Sequence, residues 1–233
     1  MPTVRVNDIK MYYEQSGSGQ PLVLIAGLGL DVCDCRKLIE ALAAHHRVLA
    51  FDNRGAGRTD MPDAPYTLAQ MSDDTAGLMR TVEVGPADVV GISMGGRIAL
   101  ELALKDTGLV RSLILASTSA RVSRRWPVRL LGLVSTLPML RGRHPQPRYA
   151  HRRQREASSG YDSTARLPQV SVPTLIMHGR RDRIAPYRGA EHLREHIRGA
   201  TLVPLDGGHL YPLVHSDAFA RLLDTFTAAL SGP

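Results

Sequence analysis

Apolar and polar positions alternate at the start of the chain and then change rhythm. Residues 4–6 and 10–15 read as the arms of a β-hairpin about Asn7-Asp8, with in–out alternation in the first arm. A Ser16-Gly-Ser-Gly-Gln loop leads into Pro21-Leu-Val-Leu-Ile25, a short apolar run closed by glycine, as expected of a strand covered on both faces. Leu38, Ile39 and Leu42 recur at helical spacing before a strand over 47–51. Thr67 and Gln70 form a capping box ahead of a helix whose apolar stripe is Leu68, Met71, Thr75, Met79 and Val82. Further strands are predicted over 87–92, 110–116, 172–177 and 201–205, with helices over 94–104, 186–197 and 217–230. The last helix aligns Phe219, Leu222, Leu223, Phe226 and Leu230 on one face. Strands alternating with helices imply an α/β protein with a mostly parallel, doubly wound sheet.

One segment breaks the rhythm. Residues 119–168 are Pro-rich, hold the single tryptophan (Trp126), and show helical patches over 128–140 and around 149–158. They read as a short insertion, with 1–118 and 169–233 forming the core. At 233 residues and 43% hydrophobic, the chain suits one domain with a full core. The 36 glycines and prolines show no period, which excludes collagen-like architecture. The longest apolar run, 22–30, is nine residues, too short to span a bilayer. The N-terminus shows no apolar leader, and a cytoplasmic location is expected. Cys33 and Cys35 make no disulfide framework, and both are expected to be inert reduced thiols.

Charge sharpens the view of the insertion. Ten of the 26 arginines fall between Arg121 and Arg155, a stretch without Asp, Glu or Lys, so it carries +10 while the remaining 198 residues sum to −3. The cluster reads either as a field that steers an anionic substrate or as a solvated face. Nucleic-acid binding would need stacking aromatics among the basic residues, and only Trp126 and Tyr149 lie there.

The candidate chemistry begins at Gly91-Ile-Ser93-Met-Gly95-Gly96, between a predicted strand and a predicted helix. In that context Gly-x-Ser-x-Gly makes a sharp turn that projects a serine hydroxyl from the sheet, with glycines where a Cβ would collide. Such a hydroxyl needs a base, and the base an orienting carboxylate. His209, in Leu205-Asp-Gly-Gly-His-Leu, follows the last strand; Asp182, in Gly179-Arg-Arg-Asp-Arg-Ile-Ala-Pro186, follows the preceding one. All three candidates therefore lie at the carboxyl edge of the sheet, where open α/β folds bind ligands. Other histidines fit less well. His45, His46, His192 and His196 are expected in solvent, His178 in packing, and His215 at a helix head. Asp206 is too close along the chain to orient His209, and the loop after Ala116 (Ser117-Thr-Ser-Ala) contains no carboxylate. No metal-ligand spacing and no Cys-x-x-Cys occurs, so neither a metal nor a cofactor is expected.

These motifs together resemble the α/β-hydrolase family, in particular its small cap-bearing esterases, enol-lactonases and cofactor-free haloperoxidase-like enzymes. Asp52-Asn-Arg-Gly-Ala-Gly-Arg-Thr59 matches a family loop whose glycines serve turns. A serine nucleophile separates the chain from epoxide hydrolases and haloalkane dehalogenases, which attack with aspartate. The resemblance implies an oxyanion hole made by the N–H groups of Met94 and Leu28, and a cap formed by the insertion over the site. It implies Trp126, Leu130 and Leu137 among the cap residues lining an acyl pocket. Two positions depart from the pattern: Ala26 stands where many relatives have a loop-bracing histidine, and Cys35 where they have tryptophan. The expected activity is hydrolysis of a small-molecule ester or lactone through an acyl-enzyme. Thioester hydrolysis, C–C cleavage, perhydrolysis or acyl transfer on the same residues, and a non-catalytic basic protein, are the alternatives.

Overall fold

The computed structural model describes residues 2–122 and 143–231. Trp126, Leu130 and Leu137, and the helical patch predicted over 128–140, lie outside the described residues. The strands are β1 (Thr3–Val6), β2 (Ile9–Ser16), β3 (Gln20–Ile25), β4 (His46–Phe51), β5 (Ala87–Ile92), β6 (Val110–Ala116), β7 (Thr174–Gly179) and β8 (Thr201–Leu205). They form one sheet in the order β1-β2-β4-β3-β5-β6-β7-β8. The hairpin β1–β2 and the β2–β4 pair are antiparallel; every other pairing is parallel. The helices are α1 (Arg36–Ala43), α2 (Leu68–Thr81), α3 (Met94–Lys105), α4 (Arg148–Ser159), α5 (Arg188–His196), α6 (Tyr211–Val214) and α7 (Ser216–Ser231). None among the described residues is long and apolar enough to cross a membrane.

Side-chain alternation along the parallel strands builds two cores. Val23 and Ile25 of β3 and Val89 of β5 pack with α2, α3 and α5 on one face. Leu22 and Leu24 of β3 and Val90 and Ile92 of β5 pack with α1 and α7 on the other. Both faces of the central strands are therefore dry, which is why they read as unbroken apolar runs. The Thr67 side chain accepts from the Gln70 N–H and starts α2 as the capping pair predicts. Strand β7 begins at Thr174, two residues later than the pattern suggests, because Pro173 has no N–H for the ladder.

Two expectations need correction. Leu230 is 37% exposed, so the apolar stripe of α7 ends one turn early: Phe219 and Leu223 are buried and Leu222 and Phe226 partly so. His46 is buried rather than solvated, because it opens β4 and its Nε2 meets Asp224 Oδ1 of α7 at 2.8 Å.

A buried ion cluster ties the 52–60 loop to the frame. Arg54, its side chain 1% exposed, bonds Asp74 of α2 through Nε at 2.7 Å, and its terminal nitrogens fork onto Asp8 of the hairpin. Asn7 Nδ2 adds a 2.9 Å bond to the same Asp74. Removing one partner would leave a buried charge uncompensated. Asp74→Ala is accordingly expected to cost about 3–5 kcal/mol of unfolding free energy, read from the urea midpoint at constant slope.

Candidate active site

The chain crosses from β3 to β4 on one side and then returns to β5 on the other, so the carboxyl ends of β3 and β5 flank a crevice. Ser93 stands there, between β5 and α3, with φ 55° and ψ −113°. A positive φ at a non-glycine residue is a cost that surrounding structure must hold in place. Here the Ser93 N–H donates to Ala116 O (2.9 Å) and its carbonyl accepts from the Gly96 N–H (3.1 Å) and from Thr118 Oγ1 (2.6 Å). The flanking glycines are required sterically: a Cβ at Gly91 would strike the backbone of Gly95 and Gly96, and one at Gly95 the carbonyls of Ile25 and Ala26.

The other two residues arrive on neighbouring loops held against each other. Arg180 N–H donates to Leu205 O and Arg181 N–H to Gly207 O, both at 2.9 Å, fastening the loop after β7 to the loop after β8. A Cβ at Gly179 would collide with Gly207 O, so that approach too depends on glycine. His209 Nδ1 then lies 2.8 Å from Asp182 Oδ2, and His209 Nε2 lies 3.0 Å from Ser93 Oγ. Facing a carboxylate, Nδ1 carries the hydrogen, which leaves Nε2 free to accept. Asp182 Oδ1 accepts from the Ile184 and Ala185 N–H groups, both at 2.8 Å. Burial alone would raise the Asp182 carboxyl. The hydrogen bonds from His178 and His209, the charge of His209 and the Ala185 N–H outweigh it and hold the group well below the usual carboxylate range.

His178 is packed, but it also has a place behind Asp182. Its Nε2 faces Ala185 O at 2.7 Å and Asp182 Oδ2 at 3.3 Å, both acceptors, so Nε2 carries hydrogen and the ring holds the carboxylate from behind. Asp206 points away, paired with Arg181 at 2.9 Å. His215 stacks on Tyr211.

The loop after β3 lies against Ser93, where a Cβ on Gly27 would come within 3.5 Å of the Ser93 Cβ. Neither the Leu28 nor the Met94 N–H is used in the turns and loops among the described residues. With Ala26 in place of a bracing histidine, the loop is braced from elsewhere. Asn53 Nδ2 donates to Ala26 O at 3.1 Å. Gln154 of α4, fully buried, accepts from the Gly29 N–H at 3.0 Å and donates to Arg54 O at 2.8 Å. A signal for Gln154 exists in the sequence: Ala150, Gln154 and Ser158 form an uncharged i, i+4, i+8 line on an otherwise arginine-rich helix, and all three are buried. Asp52 pins the neighbouring turn, accepting from the Val32 and Arg58 N–H groups at 2.7 and 2.8 Å. Burial pushes the Cys35 thiol up, away from the thiolate form, in keeping with an inert cysteine.

Among the described residues, two groups bring three metal-capable donors together: Asp31, Cys33 and His144, and His192, Glu195 and His196. Neither contains Ser93, Asp182 or His209. In each, a donor already has a protein partner, His144 Nδ1 on Asp31 Oδ2 and His196 Nδ1 on His192 O, both at 2.9 Å.

Fold and site together define an α/β hydrolase. The family model described as alpha/beta hydrolase fold matches residues 20–160, and the chain belongs to that enzyme family. "Putative carbamate hydrolase RutD" of Azorhizobium caulinodans is 30% identical over 257 aligned residues, covering 96% of this chain and 97% of the relative. Among solved structures, a hydrolase from Pseudomonas aeruginosa PA01 superposes with a TM-score of 0.87 at 26% identity, covering 97% of both chains. The enol-lactonase from Burkholderia xenovorans LB400 superposes at 0.85 with 27% identity, covering 97% of this chain and all of that one.

Proposed function

We propose that the protein is a serine hydrolase that cleaves a carboxylic ester or lactone through an acyl-enzyme. The supporting observation is the continuous contact from Asp182 through His209 to Ser93 (2.8 and 3.0 Å) on a strained strand-to-helix turn. His209 Nε2 takes the Ser93 proton as Oγ attacks the acyl carbon, and Asp182 holds the ring with its hydrogen on Nδ1. The N–H groups of Leu28 and Met94 receive the oxyanion; the Met94 N–H, in the first turn of α3, has no intrahelical partner by position. The tetrahedral adduct collapses as His209 returns the proton to the leaving oxygen. Water deprotonated by His209 then attacks the acyl carbon, and Ser93 departs with the proton. Each step balances within these residues, the substrate and one water.

Segment 119–168 serves as the cap in this reading. Contacts from it to the core support that placement: Tyr149 OH to Met61 O at 2.8 Å, His144 to Asp31 at 2.9 Å, Gln146 Nε2 to Gly55 O, and the Gln154 brace. The cap arginines steer anionic substrates toward the mouth. Such a field falls away with salt, so kcat/KM for an anionic ester is expected to drop more steeply with ionic strength than that for a neutral one. Gln154→Leu removes the partner of the Gly29 N–H and so loosens the loop carrying Leu28. Its kcat on any ester is expected to fall about 10–100-fold, less than outright loss of an oxyanion donor, with KM nearly unchanged.

A carbamate is the second reading, favoured by 30% identity over nearly the whole length of the Azorhizobium caulinodans relative, which is named a carbamate hydrolase. The two differ in the group on the carbonyl carbon, nitrogen in place of carbon, so that Ser93 would be carbamoylated in place of acylated, and they share the remaining steps. A panel of ester, lactone, thioester and carbamate substrates ranked by kcat/KM tests the assignment. The ester and lactone are expected to lead; a carbamate or thioester ahead of both by tenfold or more would overturn the substrate class.

A further inference from the structure

One buried side chain beside the nucleophile has no use in the mechanism above. Arg97 is on α3, four residues after Ser93, and is only 6% exposed. Other buried basic residues have their anions: Arg54 has Asp74 and Asp8. Arg97 has no carboxylate partner among the described residues. Residues 123–142, outside them, contain no Asp or Glu in the sequence. Its hydrogen bonds go to neutral acceptors, from Nε to Ser119 O at 3.2 Å and from Nη1 to Ser158 Oγ of α4.

Its direction follows from the same contacts. Helical side chains lean toward the N-terminus of their helix, here toward Ser93. Ser119 follows Thr118, whose Oγ1 holds the Ser93 carbonyl, so the guanidinium sits near the Ser93 end of α3 and beneath α4. A four-residue offset along a helix is about 6 Å. Glu101, one turn the other way, is occupied by Arg166 (2.7 Å) and Tyr161 (3.1 Å). Among the described residues the two bonds of Arg97 engage Nε and Nη1, and the third nitrogen, Nη2, has no hydrogen bond.

We propose that Arg97 is the anion-recognition group of this site, holding a substrate carboxylate a few bonds from the acyl carbon through the free edge of its guanidinium. The inference rests on the reading of Ser93 as nucleophile and adds to it the substrate class, an ester or lactone bearing a second, ionised carboxyl group. Burying an arginine without an anion carries a desolvation penalty that its neutral hydrogen-bond partners only partly offset. Burial lowers its pKa to about 10, which still leaves it cationic at neutral pH. A planar fork with one open edge suits a planar carboxylate, and a charge-assisted bond there is among the stronger polar contacts. This contact is short-range and buried, so it survives salt that would screen the cap arginines.

The test compares para-nitrophenyl hemiglutarate with para-nitrophenyl hexanoate, which share a leaving group and differ in a terminal carboxylate. Wild type is expected to prefer the hemiglutarate, and Arg97→Met to lower the ratio of the two kcat/KM values about 10–100-fold. Arg97→Lys is expected to recover part of the ratio. A purely structural pin between α3, Ser119 and α4 would lower both rates together and leave the ratio unchanged, which would overturn the proposal. Free glutarate gives a readout independent of turnover: it is expected to raise the Tm of wild type and to have little effect on Arg97→Met. Equal shifts in both proteins would equally overturn the anion site. If Arg97→Met does not fold, Arg97→Gln, which removes the charge and keeps polar atoms for Ser119 and Ser158, carries the same comparison. Wild type that hydrolyses neither ester, yet shows the Arg97-dependent glutarate shift, would overturn the ester-and-lactone reading and leave the anion site standing.

Discussion

Ser93→Ala is expected to lower kcat by about 10⁶ on the best substrate of the panel, with KM changed far less. The effect is this large because the hydroxyl 3.0 Å from His209 Nε2 is the one the base contacts among the described residues, while Thr118 Oγ1 beside it is committed to the Ser93 carbonyl. What activity remains comes from oxyanion donors acting on a water, typically 10³–10⁴ over the uncatalysed rate. Pre-steady-state kinetics checks the account further. Wild type should release one equivalent of nitrophenol in a burst wherever deacylation is slow, and the alanine variant none. Retention of more than about a hundredth of the wild-type kcat by Ser93→Ala would mean that another group attacks the acyl carbon.

Asp182→Asn should reduce kcat by about 10⁴, and the environment of the carboxylate gives the reason. One oxygen faces the N–H groups of Ile184 and Ala185, so the amide oxygen of asparagine must take that side. Its NH₂ then faces His209 Nδ1, turning that nitrogen into an acceptor and moving the ring hydrogen to Nε2. An Nε2–H cannot receive the Ser93 proton. The same NH₂ also meets the Nε2–H of His178, donor against donor, so the variant loses stability as well. The pH dependence has a definite sign. A carboxyl depressed in the folded state stabilises the protein fully above the unfolded value, about 3.9, and progressively less as pH falls through the folded value. The Tm gap between wild type and Asp182→Asn is therefore expected to be full at neutral pH and to narrow below about pH 4. Thermal denaturation across a pH series reads it directly.

Sequence periodicity carried most of the fold because the central strands are covered on both sides, leaving unbroken apolar runs between turn residues. The strand-to-helix turn at Ser93 was legible for a related reason: Gly91 and Gly95 are forced by close backbone approach, and such constraints leave glycines at fixed offsets. Asp182 and His209 could be named because each follows a strand at the same edge of the sheet. Other features depend on contacts that periodicity does not encode. His46 looked solvated until β4 brought it against Asp224, 178 positions away. Gln154 braces a loop 125 positions upstream, and its only local trace is an uncharged line on a charged helix. Arg97 sits in a run that reads as helix, and nothing in the run itself says that its charge goes unpaired. Polar groups buried by tertiary packing are thus the part that local patterns conceal.

The most direct measurement is intact mass and peptide mapping after treatment with a fluorophosphonate, which reacts with a serine only when a base activates it. One phosphonyl group is expected on Ser93, formed rapidly in wild type, at least a thousandfold more slowly in His209→Ala, and absent in Ser93→Ala. An adduct on any other residue, or a wild-type protein that stays unlabelled under conditions where a known serine hydrolase reacts fully, would contradict the account.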